Sequence, residues 1–393
     1  MIAHALLRLS IVGLVSSTIY LILVLEAARR FHYSSQKPVD GGAALPRVTV
    51  LKPLHGLEPQ LERNLESFFL QDYPEFEIIF SARHTTDPAL KVVDILRSKY
   101  PKIQSSVVLS GEPSYPNAKV FALEKMLACT SASYLVITDS DVCVRPDCLR
   151  EVVSPLLDPR NGVVTCLYRG VAAGGSWSRL EALGMSVEMP SGVLVANMIE
   201  GMRFALGPTM ATRKDVLESI GGIAALGQYC ADDYVLGHLA YESGKRVVLS
   251  RHIIGHVAIN TSARTSIRHQ VRWMRSTRFS RGAGHIGAGL TYATPFGFLG
   301  LIAATGIGHW PIGVGLLGWA LLNRLVQTLI VGWRIIGDSE SLKLCWLYPA
   351  RDLIGFFITR RSGHLTRMFP TAELFPSLPV SSLAAATLTR LLT

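Results

Sequence analysis

Apolar stretches of membrane-spanning length lie near both ends of the chain, and they restrict the folds that it can adopt. Residues 9–25 are uncharged and mostly apolar, and residues 294–308 and 311–331 form two further apolar runs. With its flanking alanines, the first run approaches the roughly 20 residues that cross the hydrocarbon core of a bilayer. Backbone in lipid must satisfy its hydrogen bonds internally, so these runs predict helices. We therefore assign residues 1–30 to a transmembrane helix and residues 291–358 to further membrane segments.

Basic residues after the first run predict the orientation of the protein. Arg29 and Arg30 follow the run, whereas Arg8 alone precedes it. The positive-inside rule then puts the following part of the chain in the cytoplasm. A signal peptide is the alternative, but no clear small-residue cleavage site follows the run.

The C-terminal membrane region contains two unusual features. Asn323 and Arg324 interrupt one apolar run. Charged groups at membrane depth usually face protein or water, so Arg324 is expected in a helix interface or a lipid-headgroup groove, with snorkelling as the alternative. The run at residues 344–358 is shorter and is consistent with a re-entrant or interfacial segment.

Composition supports partial immersion in lipid. Hydrophobic residues make up 49% of the 393 residues, charged residues make up 17%, and the formal net charge is +10. The basic residues stand beside apolar segments, so we expect anionic headgroups and a diphosphate as partners, and no nucleic acid. The six cysteines show no regular framework, which favours reduced side chains in a cytoplasmic environment.

Between the membrane runs, residues 45–260 alternate short β-branched runs with helical patterns. The β-branched runs are residues 48–51, 77–80, 106–109, 134–137 and 162–167, and the helical patterns include residues 61–70 and 88–100. This alternation predicts an α/β domain with a mostly parallel sheet covered by helices on both faces.

Two carboxylates, Asp139 and Asp141, follow the apolar run at residues 134–137. They are predicted to lie at the C-terminal tip of a buried strand, the edge where ligands gather in open α/β sheets. Carboxylates one residue apart can share one hard divalent cation such as Mg²⁺ or Mn²⁺, which then binds diphosphate oxygens. A solvated turn after a strand is the ordinary alternative.

Arginines recur every three or four residues within residues 261–285, which predicts a helix with guanidinium groups along one side. They are Arg264, Arg268, Arg272, Arg275 and Arg278. A solvated basic face is the ordinary explanation for such a stripe. Trp273, beside Arg272, and the apolar run that follows favour a helix at the membrane interface.

These motifs resemble those of the ceramide glucosyltransferase-like glycosyltransferases. Asp139, the pair Asp232 and Asp233, and the arginine-tryptophan segment 268–273 stand in that family's order and rough spacing. The resemblance begins at residue 48, fades near Phe357 and covers most of the chain. Within the family, two segments look most like the bacterial hopanoid-biosynthesis branch. They are residues 162–170 and 177–183.

The resemblance implies a GT-A-type nucleotide-sugar transferase domain with flanking transmembrane helices. It implies a UDP-sugar donor, a divalent metal held by Asp139 and Asp141, and a lipid acceptor in the bilayer. The family inverts configuration at the anomeric carbon, so the resemblance implies that an α-linked donor gives a β-glycoside. The implied location is the bacterial inner membrane, with multiple spans and the catalytic domain on the cytoplasmic side.

The resemblance also implies roles for the residues near the acceptor. Asp233 corresponds to the general base, and Asp232 to an orienting or helix-capping residue. The simpler alternative is that both aspartates only begin a helix. The resemblance implies that Arg272 binds the diphosphate and that Trp273 forms the floor of the acceptor site. His269 departs from the family, which commonly has Gln or Arg there.

Donor contacts are implied for three residues upstream, Lys52, Asn117 and Lys119. Lys52 would meet the nucleotide where the first strand ends, and Lys119 would offset phosphate charge. The aspartate that holds uracil in relatives aligns with His84 here, and nearby Asp87 precedes a proline and is consistent with a helix cap.

Four functions fit the sequence. The first is transfer of N-acetylglucosamine from UDP-N-acetylglucosamine to a hopanoid such as bacteriohopanetetrol, and the second is the same chemistry with glucose and ceramide. A processive polysaccharide synthase is disfavoured, because such synthases carry more membrane helices. A non-catalytic lipid or nucleotide binder is opposed by Asp139, Asp141, Asp233 and Arg272. Residues 359–393 lack the last helix of relatives, and no function is assigned to them.

Overall fold

The computed structural model describes residues 1–34, 45–260, 262–280, 287 and 289–364. Most of the predicted tail, from residue 365 onward, lies outside the described residues. All six cysteines lie within them and are free thiols, in agreement with the sequence.

The chain begins with a long helix, α1 (Ile2–Tyr33), that joins the apolar region to the α/β domain. Its first half leaves large apolar side chains such as Val12 and Ile19 exposed. Near its other end, Val24 and Ala28 are buried in a core that also contains residues of the sheet. By length and composition α1 can cross a membrane, as the sequence predicts.

A mixed eight-stranded sheet forms the centre of the domain. Its spatial order is β3-β2-β1-β4-β7-β6-β8-β5. The strands are β1 (Val48–Pro53), β2 (Phe76–Ala82), β3 (Gln104–Leu109), β4 (Tyr134–Thr138), β5 (Val142–Cys143), β6 (Asn161–Ala172), β7 (Thr209–Arg213) and β8 (Arg246–Ala258).

The sheet is less parallel than the sequence predicts. Strands β1 to β4 pair in parallel, and so do β6 and β8. However, β7 runs antiparallel to both β4 and β6, and β5 runs antiparallel to β8. The predicted strands are all present, and the antiparallel element β7 lies between two of them. Since β4, β6 and β8 point the same way, their C-terminal ends meet at one edge.

Helices cover both faces of the sheet. Strand β1 alternates between two cores, with Val48 and Val50 in one and Leu51 in the other, so both faces are buried. The helices of the domain are α2 (Leu61–Phe69), α3 (Ala89–Lys99), α4 (Ala118–Leu127), α5 (Cys148–Val153), α6 (Gly175–Glu200), α7 (Lys214–Ser219) and α8 (Asp232–Glu242).

Helix α6 is a 26-residue apolar element that sequence patterning does not predict. By length and composition it too can cross a membrane. In the structure it packs along β6 and against α1, and most of its residues are buried in protein. Such a helix is expected to be apolar on several sides because it is buried, so its composition alone does not require lipid around it.

The C-terminal region is helical. Its elements are α9 (Ala263–Ser280), α10 (Thr294–Gly306), α11 (Trp310–Gln327), a π-helical turn (Thr328–Ile335), α12 (Ser339–Lys343) and α13 (Tyr348–His364). The segment Trp310–Ile335 is long and apolar enough to cross a membrane, whereas α10 has 13 residues and is shorter than the sequence predicts. The predicted interfacial segment at residues 344–358 contains the start of α13.

Helices α10 and α11 form a hairpin against α1. Ser10 Oγ donates to the carbonyl of Phe296 at 2.7 Å, and Trp319 Nε1 donates to Thr18 Oγ1 at 2.9 Å. Gly300 lies beside Ser10, so α10 runs antiparallel to α1 and the hairpin turn at residues 307–309 lies toward Met1.

Arg324 lies in a helix interface, one of the positions that the sequence predicts. Its side chain is 2% exposed, and Nη1 donates to Asp352 Oδ1 at 3.1 Å. The other carboxylate oxygen of Asp352 accepts from the backbone N–H groups of Ala293 and Thr294, at 3.1 and 2.8 Å. One buried carboxylate therefore joins α11, α13 and the start of α10.

Replacing Asp352 should destabilise the helical region strongly. We expect Asp352→Ala to lower the free energy of unfolding by about 3–5 kcal/mol, because it leaves Arg324 as an unpaired buried charge. Denaturant titration of the purified protein in detergent measures the change. The control is Glu340→Gln, which removes the exposed pair with Lys343 and should cost less than about 1 kcal/mol. Equal losses in both variants would contradict this account of Asp352.

Candidate active site

Polar side chains converge at the edge of the sheet where β4 ends. The apolar strand β4 ends at Thr138, and the backbone N–H of Asp139 donates to the carbonyl of Pro208 at 3.1 Å. This bond fixes the start of the loop that carries both predicted metal-binding carboxylates. The loop is also tied by Ser140, whose hydroxyl donates to Glu58 Oε2 at 2.6 Å.

Lys119 links two of the predicted acidic motifs. Its Nζ lies 2.6 Å from Asp139 Oδ1 and 3.9 Å from Asp232 Oδ2. Burial opposes the charge of the ammonium, but the carboxylates of Asp139 and Asp232 hold the pKa of Lys119 above its ordinary value. Lys119 is therefore charged and lies beside Asp139. The family resemblance predicts the diphosphate of a nucleotide sugar at this position.

Lys52 lies near the end of β1 in a buried environment. Its side chain is 0% exposed, Nζ donates to the backbone carbonyl of Asp139 at 2.6 Å, and the ammonium lies 3.9 Å from the centre of the Phe68 ring. Burial lowers the pKa of Lys52 to about 7, against the attraction of Asp139 and Asp141. In this structure Lys52 supports the Asp139 loop from beneath, and its contact with the nucleotide stays a prediction.

Asp141 is paired with a histidine that the sequence did not identify. Its Oδ2 lies 3.0 Å from His256 Nε2, near the end of β8. Burial opposes the charge on Asp141, but His256, together with Lys52 and Lys119, holds its pKa below the ordinary value. The second oxygen of Asp141, Oδ1, is buried and has no hydrogen-bond partner among the described residues.

The orphaned Oδ1 of Asp141 fits a divalent cation, because a buried carboxylate oxygen needs a partner. The described residues contain no group of three or more His, Cys, Asp and Glu side chains arranged to hold a metal alone. Mg²⁺ is often bound by one or two carboxylates together with substrate phosphates and water. Asp139 and Asp141 therefore suit a cation that binds together with a diphosphate.

Asp233 lies at the start of α8, with its half-buried side chain next to the same edge. Its Oδ2 accepts from the backbone N–H of Gly207 at 2.7 Å. A side chain at Gly207 would place Cβ 2.9 Å from that oxygen, so glycine permits the close approach. Burial and the neighbouring Asp232 raise the pKa of Asp233 to about 6, although Lys119 opposes the shift. A carboxylate with such a pKa is well suited to accept a proton near neutral pH.

Asn117 has a structural position in the loop before α4. Its Oδ1 caps α4 by accepting from the N–H of Val120 at 3.1 Å. Its Nδ2 donates to the carbonyl of Tyr229 at 2.8 Å and lies 3.3 Å from Asp232 Oδ1. Asn117 thus connects the loop of Lys119 to the segment before Asp233, and direct contact with the donor stays a prediction.

The arginine-tryptophan motif lies on α9, a helix that the sequence predicts. Trp273 is half-buried, and its ring centre lies 6.4 Å from that of His256 and 4.4 Å from that of His269. Because His256 contacts Asp141, Trp273 borders the edge that carries the predicted metal ligands. Arg272 precedes it with an exposed side chain, so its role at the diphosphate stays a prediction.

The predicted donor-base region is also described. His84 is exposed, and its Nε2 lies 3.1 Å from Glu112 Oε1. Asp87 accepts from the N–H groups of Gly56 and Ala89, at 3.1 and 2.9 Å, which agrees with the helix-capping interpretation.

Three site residues were missed by sequence analysis: Glu58, Glu181 and His256. His256 is one of several polar residues in β8, and Glu58 lies in a loop. Glu181 lies on the apolar helix α6, and its carboxylate is 2.7 Å from His269 Nδ1. Each acquires its partner through a contact distant in sequence, so no local pattern identifies these three residues.

The architecture is that of GT-A-type glycosyltransferases. A mannosyltransferase from Pyrobaculum calidifontis, solved with GDP-Man and Mn²⁺, aligns with 90% of this chain and 99% of its own, with a TM-score of 0.53 and 18% identity. The alignment confirms the predicted fold class. Residues 9–362 match the family model of glycosyl transferase family 21, and the chain belongs to that family.

Curated relatives agree with the predicted resemblance. Ceramide glucosyltransferase 1 of Caenorhabditis elegans is 28% identical over 240 residues, covering 60% of this chain and 50% of the relative. Ceramide glucosyltransferase 3 of the same organism is 25% identical over 270 residues, covering 68% and 58%. The aligned region thus spans little more than half the length of these relatives. The resemblance to ceramide glucosyltransferase-like enzymes is confirmed.

Proposed function

We propose that this protein transfers one sugar from a UDP-sugar to the hydroxyl of a membrane lipid, with inversion at the anomeric carbon. The observation that carries the proposal is the convergence of Asp139, Asp232 and Asp233 around Lys119 at one sheet edge, with Asp141 in the same loop as Asp139. Such an arrangement can bind a diphosphate and accept a proton in the same place. The domain is continuous with an apolar helix, α1, which would hold it at the bilayer.

In the proposed reaction Asp233 is the general base. The acceptor hydroxyl would transfer its proton to Asp233 as its oxygen attacks the anomeric carbon and the bond to UDP breaks. The raised pKa of Asp233 suits this step, since the base must be ionised before reaction and protonated after it. Asp232 shares contacts with Asn117 and Lys119 and would orient the segment.

Charge on the departing UDP would be neutralised by several groups. Mg²⁺ or Mn²⁺ bound by Asp139 and Asp141 would act as a Lewis acid on the diphosphate. Lys119 would contribute its positive charge beside Asp139, and Arg272 would supply a bidentate guanidinium. Trp273 would form the floor on which the acceptor rests.

The sugar and the lipid are proposed from two different observations. The segments at residues 162–170 and 177–183 resemble the hopanoid-biosynthesis branch, which favours N-acetylglucosamine and a hopanoid polyol such as bacteriohopanetetrol. The names of the matched relatives favour glucose and ceramide as the alternative. With a hopanoid as acceptor, the protein would lie in the bacterial inner membrane.

An assay of purified membranes tests the proposal. Membranes containing the protein are incubated with UDP-N-acetylglucosamine, UDP-glucose or UDP-galactose, and new glycolipids are identified by mass spectrometry. Membranes containing Asp233→Asn at equal abundance are the control. A lipid carrying one added hexose or N-acetylhexosamine supports the proposal and identifies the donor. Failure to form a glycolipid with any donor and any tested lipid extract would refute it.

We also propose that the catalytic domain faces the cytoplasm. Arg29 and Arg30 follow the apolar part of α1, and although both contact Glu26 at 2.7 Å, acidic residues contribute little to the positive-inside rule. The hairpin turn at residues 307–309 lies toward Met1 and would face the opposite side.

Cysteine labelling should confirm this orientation. In a protein with Cys129 and Cys230 replaced by serine, Gly41→Cys should resist a membrane-impermeant maleimide in intact cells and react after lysis. His309→Cys, in the exposed hairpin turn, should react in intact cells. The opposite pattern would reverse the proposed orientation.

A further inference from the structure

Helix α9, which carries the arginine-tryptophan motif, is attached to α6 through one buried carboxylate. Glu181 is 2% exposed and accepts three hydrogen bonds. They come from Asn260 Nδ2 at 3.0 Å, His269 Nδ1 at 2.7 Å and Ser266 Oγ at 2.6 Å. A carboxylate only accepts, so the proton of the His269 ring must lie on Nδ1 in this contact.

The attachment of the first turns of α9 is mainly polar. The buried residues there are Ser266 and Gln270, and Gln270 Nε2 donates to Ser266 Oγ at 2.9 Å. Ser266 in turn donates to Glu181, so both buried positions depend on the same carboxylate. Hydrogen bonds are directional, so this set of bonds favours one rotation of α9 relative to α6.

These contacts continue to the catalytic edge. His269 and Trp273 are one turn apart on α9, with ring centres 4.4 Å apart. The ring of Trp273 lies 6.4 Å from that of His256, whose Nε2 lies 3.0 Å from Asp141. The geometry therefore connects Glu181 to the predicted acceptor floor through a single intervening side chain.

We propose that Glu181 is a positioning residue that orients Trp273 through His269 and thereby sets the binding of the acceptor. This inference rests on the proposed function, because it takes Trp273 as the acceptor floor. It also accounts for His269, which departs from the Gln or Arg common in the family. The imidazole both donates to Glu181 and packs against Trp273.

The test compares two identical changes on one helix. Glu181→Gln removes the charge that α9 depends on. Glu188→Gln, about two turns further along α6, removes a carboxylate that contacts Arg351 of α13 at 2.9 Å. The environment of Trp273 is measured without substrate, as the difference in fluorescence between each protein and its Trp273→Phe derivative. Steady-state rates give KM for the UDP-sugar and for the lipid separately.

We expect Glu181→Gln to shift the emission of Trp273 to longer wavelength and to raise KM for the lipid about tenfold, since hydrogen bonds to charged groups are among the stronger ones. KM for the UDP-sugar should rise less than KM for the lipid, because Arg272 of α9 is only one of the groups proposed for the diphosphate, and Lys119 pairs with Asp139 and Asp232. Glu188→Gln should change neither quantity.

Two outcomes would overturn the inference. One is an unchanged Trp273 emission in Glu181→Gln. The other is that Glu181→Gln and Glu188→Gln change both KM values by the same factors, which would indicate a general loss of structure. The fluorescence measurement needs no turnover. It therefore decides the positioning role of Glu181 even if the protein proves not to transfer sugar, and the two failures can be distinguished.

Discussion

Asp233→Asn should lower the rate of sugar transfer by about a hundredfold or more. General-base catalysis contributes roughly 10² to 10⁴ in rate, and the amide cannot accept the proton of the acceptor hydroxyl. The substitution preserves the size of the side chain and leaves an oxygen that can accept from the N–H of Gly207. The loss should therefore appear in kcat with saturating lipid.

Binding of UDP separates the role of Asp233 from that of Arg272. Calorimetric titration with UDP should give nearly equal affinity for Asp233→Asn and the unchanged protein. Arg272→Lys should weaken UDP binding as well as turnover, because lysine keeps the charge and loses the bidentate geometry. If Asp233→Asn turns over at a near-normal rate, or loses UDP binding as severely as Arg272→Lys, then Asp233 is not the base and Asp232 becomes the next candidate.

The pH dependence gives a second measure of Asp233. Its pKa is about 6 in the folded protein, so kcat/KM should rise with pH and level off above about 6. An unperturbed aspartate would give a rise near 4. A profile that is flat between pH 5 and pH 8 would argue against Asp233 as the base.

The same pKa shift predicts an effect on stability. Because the folded pKa of Asp233 lies above its unfolded value, protonation stabilises the folded state at low pH, and this contribution is lost as the pH rises through about 6. Asparagine resembles the protonated form and cannot ionise. Asp233→Asn should therefore be at least as stable as the unchanged protein at pH 8, and its low activity would not reflect unfolding.

Local patterns were sufficient to predict five of the eight strands and the loop that carries Asp139 and Asp141. The runs that became β1, β2, β3, β4 and β6 are short and β-branched, and the helix that carries Trp273 shows arginines at helical spacing. Asp139 and Asp141 directly follow an apolar strand. Features of this kind depend on neighbours in sequence, so a single sequence contains them.

Contacts between distant segments could not be predicted in this way. His256 reaches Asp141 only because β5 pairs with β8, and Arg324 meets Asp352 only after α11 and α13 pack together. The bond from Lys52 Nζ to the backbone carbonyl of Asp139 likewise joins residues that are distant in sequence. Helix α6 was missed because glycines, serines and the interior Pro190 interrupt its apolar pattern.

Asp139→Ala should reduce transfer by about a thousandfold or more, while the protein still accumulates in membranes. A metal that acts as a Lewis acid stabilises the transition state by several kcal/mol, and each 1.36 kcal/mol corresponds to a factor of about ten. Chelation with EDTA should abolish activity, and added Mn²⁺ or Mg²⁺ should restore it. Asp72→Ala, which removes an exposed aspartate paired with Arg150, is the control and should remain active.

Lys119 provides the alternative to a metal, because its ammonium already lies 2.6 Å from Asp139. If Lys119 alone neutralised the diphosphate, transfer would continue in EDTA and Lys119→Met would abolish it. If a metal is required, Lys119→Met should weaken UDP binding but leave a rate that still depends on added cation. Full activity of the unchanged protein in EDTA would therefore refute the metal, and the orphaned Oδ1 of Asp141 would then need a partner other than a divalent cation.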